Sequence, residues 1–180
     1  MDRLTIATAW LGGCSGCHMS FLDLDEWLLD LASRADLVYS PILDVKTYPA
    51  RVEVALIEGA VANEDHLHQL RLIRQRTRIL VAFGDCAVTG NVTALRNALG
   101  GAQSVLARAY LEGQDLQPRL PAEPGVLPPL LDRVRPLQEV VPVEYYLPGC
   151  PPPASRIKTL LQQLLAGAPR TLTGADLKFG

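Results

Sequence analysis

The chain has 180 residues, 48% of them hydrophobic, enough for one substantial core and too few to argue for two. With 17 Lys and Arg against 19 Asp and Glu it carries a formal charge of -2, with no basic stripe or polybasic patch, so neither nucleic acid nor a membrane is expected as a partner. No run approaches the roughly 18 apolar residues that cross a bilayer, and the opening MDRLTIATAW lacks the charged head and long apolar middle of a secretory signal, so the expected location is cytoplasmic. Thiols stay reduced there, and the four cysteines suggest metal binding or redox chemistry before disulfides.

In chain order, residues 4–9 read as a strand, 20–32 as a helix, 36–42 as a second strand and 52–57 as a third. A helix over 63–76, a fourth strand over 78–83 and a helix over 87–99 follow, then a fifth strand over 143–147 and a helix over 154–165. Strands separated by helices must pair in parallel through right-handed crossovers. The expected class is therefore α/β, a flavodoxin-like open parallel sheet with helices on both faces and strand order 2-1-3-4-5. Residues 100–142 hold Pro118, Pro121, Pro124, Pro128, Pro129 and Pro136. They read as a proline-rich insertion over the surface of a single domain spanning 1–180, with one helical stretch near 104–110. The apolar stripe of Phe21, Leu24, Leu28 and Leu31, widened by Leu22, Trp27 and Leu29, reads mainly as core, its excess width serving a subunit interface.

The chemistry lies in three glycine-bearing loops. Cys14 and Cys17 sit in Gly12-Gly13-Cys14-Ser15-Gly16-Cys17 after the first strand, Cys86 follows the fourth in Gly84-Asp85-Cys86-Ala87, and Cys150 follows the fifth in Pro148-Gly149-Cys150-Pro151-Pro152. Loops that follow strands of a parallel sheet share its carboxyl edge, so all four thiols converge there. A pair of cysteines two residues apart is by itself compatible with zinc, with a redox dithiol or with chance, and a lone cysteine such as Cys86 often packs as a small hydrophobe. Four thiols with no other soft ligand suit the all-cysteine ligation of an iron-sulfur cluster. Glu58, at the end of the third strand, faces the same crevice; it reads either as an exposed strand-end carboxylate or as a proton-coupled neighbour of the cluster. His18 reads either as a plain helix-entry side chain or as a hydrogen-bond partner of a thiolate or of another subunit.

Cys14-Ser15-Gly16-Cys17-His18-Met19-Ser20, Gly84-Asp85-Cys86-Ala87 with Gly90-Asn91, and Pro148-Gly149-Cys150-Pro151-Pro152 resemble the proximal-cluster motifs of nickel-iron hydrogenase small subunits. The cluster-bearing quinone-reductase subunit of complex I shares the later two motifs but has adjacent cysteines in the first. Asp44-Val45-Lys46, Glu58-Gly59 and Asn63-Glu64 bring the resemblance nearest to the soluble, NAD-reducing group. The resemblance implies one 4Fe-4S cluster on Cys14, Cys17, Cys86 and Cys150, and a separate large subunit holding the nickel-iron centre. It also implies a diaphorase module with flavin and further clusters that passes electrons to NAD, or another acceptor in a related soluble enzyme. The same fold would suit an FMN-binding electron carrier, but cysteines occupy the place after the first strand where a Ser- and Thr-rich phosphate loop belongs. A zinc-stabilised interaction module is the reading from a different class.

Overall fold

The computed structural model describes residues 3–112 and 117–167. In chain order the first half contains β1 (Leu4–Trp10), α1 (Gly16–Leu22), α2 (Trp27–Arg34), β2 (Ala35–Tyr39), β3 (Val52–Glu58), β4 (Val61–Asn63), α3 (Glu64–Arg76) and β5 (Thr77–Phe83). There follow α4 (Asp85–Thr89), α5 (Asn91–Ala94), a 3-10 turn (Leu95–Leu99), α6 (Ala102–Tyr110), β6 (Leu130–Arg135), a second 3-10 turn (Leu137–Glu139), β7 (Tyr145–Leu147) and α7 (Ala154–Leu165).

Five strands form one parallel sheet in the order β2-β1-β3-β5-β7, the arrangement expected for the five predicted strands. Alternate side chains along each strand go to opposite cores. Ile6, Val54, Leu56, Val81 and Phe83 pack with Phe21, Leu24, Leu31, Ile157 and Leu160 from α1, α2 and α7 and the turn joining the first two. Ala7, Ala9, Ala55, Ile57, Leu80 and Ala82 pack with Leu70 and Ile73 of α3 and with Leu137 and Val141. Covering both faces is what makes the strands read as nearly unbroken apolar runs, and each large side chain so buried contributes about 1.5–3 kcal/mol.

The structure corrects the predicted elements in four places. The helix expected over 20–32 is two helices, α1 and α2, separated by a turn in which Asp25 has a φ of 50°. Leu24 lies in that turn and still reaches the core, so the apolar spacing runs through the break. The helix expected over 87–99 breaks at Gly90 and Asn91, whose φ values are 85° and 35°. The second strand ends at Tyr39 rather than at 42, two residues before Pro41. Finally, the insertion contains a strand: β6 pairs antiparallel with β4. Pro128, Pro129 and Pro136 lie outside β6, so none removes a ladder hydrogen bond. Arg96 fastens this hairpin-like pair, its guanidinium donating to the carbonyls of Ala62, Leu131 and Asp132. The helix expected near 104–110 is present as α6.

Most of the stripe on α1 and α2 is core: Phe21, Leu24 and Leu31 are buried, while Leu29 is 75% exposed. Trp27 lies under Lys158 of α7, the ammonium 5.4 Å from the ring centroid. Among the described residues no helix is long and apolar enough to cross a membrane.

Candidate functional site

The sheet brings the three cysteine loops to its carboxyl edge. Cys14 follows β1, Cys17 lies on α1, Cys86 lies on α4 after β5, and Cys150 follows β7. All four are free thiols; Cys17 and Cys86 are buried, Cys14 and Cys150 exposed. Each buried thiol feels the others. Burial holds the Cys17 thiol well above its ordinary value, and Glu58, Cys86, Cys14 and Cys150 push the same way. Burial also raises Cys86; a hydrogen bond with Thr93 opposes it, while Cys150, Cys14 and Glu58 add to it. Four thiolates here would repel one another, and a bound cationic group relieves that repulsion.

The backbone explains how the loops come so close. Gly12 and Ala60 exchange two backbone hydrogen bonds, of 2.9 and 2.8 Å, and a Cβ at Gly12 would lie 2.8 Å from the Ala60 carbonyl oxygen. Gly84 has a φ of 85°, and a Cβ there would lie 2.2 Å from the Cys17 sulfur. The loops are also tied to one another. The Asp85 N–H donates to the Gly149 carbonyl at 2.9 Å, and the Gly149 N–H donates to Asp85 Oδ1 at 2.6 Å. Gly84 N–H donates to Leu147, Ser20 Oγ to the Pro152 carbonyl at 2.6 Å, and Thr93 Oγ1 to the Gly12 carbonyl at 3.0 Å. The Asn91 amide donates to the Cys150 sulfur at 3.3 Å.

Glu58 and His18 depart from their plainer readings. Glu58 is 1% exposed rather than a surface carboxylate, and lies within electrostatic reach of Cys17 and Cys86. Its Oε2 accepts the His18 backbone N–H at 3.0 Å and also meets His18 Nδ1. His18 is buried and spends its other ring nitrogen on Thr8 Oγ1 at 3.0 Å, and Thr8 in turn bonds Ser40 at 2.8 Å. Its ring thus bonds neither a thiolate nor an exposed partner surface. Thr8 was the available signal: a hydroxyl amid the apolar residues of β1 is buried only when something satisfies it. Asp85, Asn91 and Thr93 also went unassigned as site residues, because their partners lie as many as 81 residues away.

The residues fit an iron-sulfur group. Glycines stand where side chains would meet the Cys17 and Cys14 sulfurs, and an amide donates to Cys150. Thiolates are the usual ligands of such clusters, and this edge offers four of them.

Residues 14–164 match the family described as NADH ubiquinone oxidoreductase, 20 Kd subunit. The chain is 37% identical over 181 residues to the NAD-reducing hydrogenase HoxS subunit delta of Cupriavidus necator, covering 98% of this chain and 86% of that one. It is 36% identical over 183 residues to one of the subunits of the F420-non-reducing hydrogenase of Methanothermobacter marburgensis, covering 98% of this chain but only 58% of that longer protein. In fold it matches a chain of the crystal structure of NAD+-reducing NiFe-hydrogenase in the H2-reduced state, with a TM-score of 0.93 and 42% identity over 99% of this chain and 100% of that one. The chain belongs to the NADH ubiquinone oxidoreductase 20 Kd subunit family, in the branch formed by the hydrogenase small subunits.

Proposed function

We propose that this chain is the electron-transferring small subunit of a cytoplasmic NAD-reducing nickel-iron hydrogenase, with one 4Fe-4S cluster on Cys14, Cys17, Cys86 and Cys150. The observation that carries the reading is the gathering of four thiols from three strand-end loops at one edge of a chain whose similarity to hydrogenase subunits spans nearly its full length. When bound, the cluster supplies one-electron chemistry at a potential tuned by its surroundings. The chain's own residues hold it: the four thiolates ligate, Gly84 and Gly16 leave room, and the Asp85 tie fixes the spacing between two of the loops.

The dihydrogen-splitting nickel-iron centre then lies in a large subunit, and a diaphorase module with flavin and further clusters passes electrons to NAD. Trp10, Met19, Val92 and Leu95 are 43%, 52%, 57% and 71% exposed on the elements that carry or flank the cysteines. Exposed apolar side chains on thiol-bearing elements are the kind of surface a permanent partner covers, in interfaces that commonly exceed about 2,000 Å². The similarity to part of an F420-non-reducing hydrogenase supports a second reading in which the final acceptor differs while this chain's role stays the same.

The test is metal and sulfide analysis of the chain co-expressed with its large subunit and purified without oxygen. About four irons and four acid-labile sulfides per chain are expected, and the Cys86→Ala variant should lose them together with NAD-linked hydrogen oxidation. Stoichiometric zinc without sulfide would overturn the proposal.

A further inference from the structure

The elbow between α4 and α5 brings a polar side chain to one of the sulfurs. Gly90 and Asn91 have φ values of 85° and 35°, which end α4 and start α5 in a new direction. Asn91 Nδ2 then lies 3.3 Å from the Cys150 sulfur. Thr93, two residues on, gives its hydroxyl proton to the Gly12 carbonyl oxygen at 3.0 Å and so ties two loops together. The amide nitrogen of asparagine can only donate. Neutral sulfur accepts weakly; sulfur bearing negative charge accepts well.

Resting on the cluster reading above, we propose that Asn91 raises the reduction potential of the group held by the four cysteines, by donating to the Cys150 sulfur. An added electron places more negative charge on that sulfur and strengthens the hydrogen bond. The donor keeps its proton, and no covalent bond is made or broken, so the effect is electrostatic tuning of a one-electron step. Asn91 is a positioning and tuning residue, since it acts through a ligand. Cys150 is exposed in the isolated chain, so water competes with Asn91 there. Exclusion of water from this edge removes that competition and strengthens the influence of Asn91 on the potential.

The experiment uses the co-expressed complex with the large subunit, as wild type and as the variant N91G. Glycine tolerates the positive φ at position 91, so N91G removes the amide without straining the elbow. Reductive titration with dithionite, followed by electron paramagnetic resonance, reads the potential, and iron and sulfide analysis reads occupancy. The expected result is a lower potential in N91G at wild-type iron and sulfide content. An unchanged potential in N91G at full occupancy overturns the inference. Loss of iron and sulfide from N91G overturns it too, because the side chain is then a holdfast. A wild-type complex without acid-labile sulfide defeats the cluster reading itself, and this inference with it.

Discussion

Asp85 holds Gly149 from two directions, through its own backbone N–H at 2.9 Å and through a carboxylate that accepts the glycine N–H at 2.6 Å. Each residue directly precedes a cysteine, so this pair sets the separation of Cys86 and Cys150 before any metal arrives. The D85A variant leaves the Gly149 N–H without its acceptor, at a cost of about 1–3 kcal/mol. A lower Tm and fewer irons per chain are expected in D85A, with D85N in between because it keeps one acceptor oxygen. Wild-type iron content in D85A would show that the cysteines find their spacing without the tie.

Gly84 separates two effects of a methyl group. G84A places a Cβ 2.2 Å from the Cys17 sulfur and also forces alanine into a φ of 85°. G125A, at a φ of 80° with nothing within 4 Å of its Cβ, carries the backbone cost alone. Backbone strain at positive φ costs about 1–3 kcal/mol. Iron and sulfide should be lost from G84A and retained in G125A; equal retention would mean that the sulfur moves aside freely.

Glu58 is the acceptor for the first turn of α1. In E58A the His18 backbone N–H and ring lose their buried partner, whereas E58Q keeps an acceptor oxygen for the N–H. Thermal unfolding and iron content should both fall in E58A, by the equivalent of about 1–3 kcal/mol in stability, and fall less in E58Q. Identical behaviour of the two variants would separate Glu58 from the placement of Cys17.

His66 gives the fold a pH dependence of its own. Burial lowers its pKa, and its Nδ1 accepts the Ala62 N–H at 3.3 Å, which only the neutral ring can do. The unfolded chain, with an ordinary histidine, protonates first as pH falls below about 6.5. Stability is therefore fully present above that pH and is lost as the pH drops toward the folded value. Denaturant midpoints measured from pH 7.5 to 5 should decline in the wild type and decline less in H66Q.

The sequence made the sheet legible because residues such as those of β3 and β5 are apolar on both faces, a pattern with few alternatives once helices separate the strands. It hid the break between α1 and α2, because Phe21, Leu24, Leu28 and Leu31 keep helical spacing across it. Strand β6 was hidden by the prolines around it and by a partner, β4, that is only three residues long. The cysteines announced themselves through local glycine-rich loops. Glu58 could not be seen as buried, since its satisfaction depends on His18, 40 residues earlier, and on the Thr8 and Ser40 hydroxyls beyond it.

The four thiols come from residues 14, 17, 86 and 150, and the last of them follows β7, a three-residue strand at the margin of the sheet. During synthesis the ribosome therefore delivers two thiols together, a third 69 residues later and the fourth another 64 residues after that. Iron presented to a nascent chain would meet an incomplete set. Among the described residues β7 joins the sheet through β5, so the docking of that short strand is what brings the Cys150 loop to the other three thiols and closes the set.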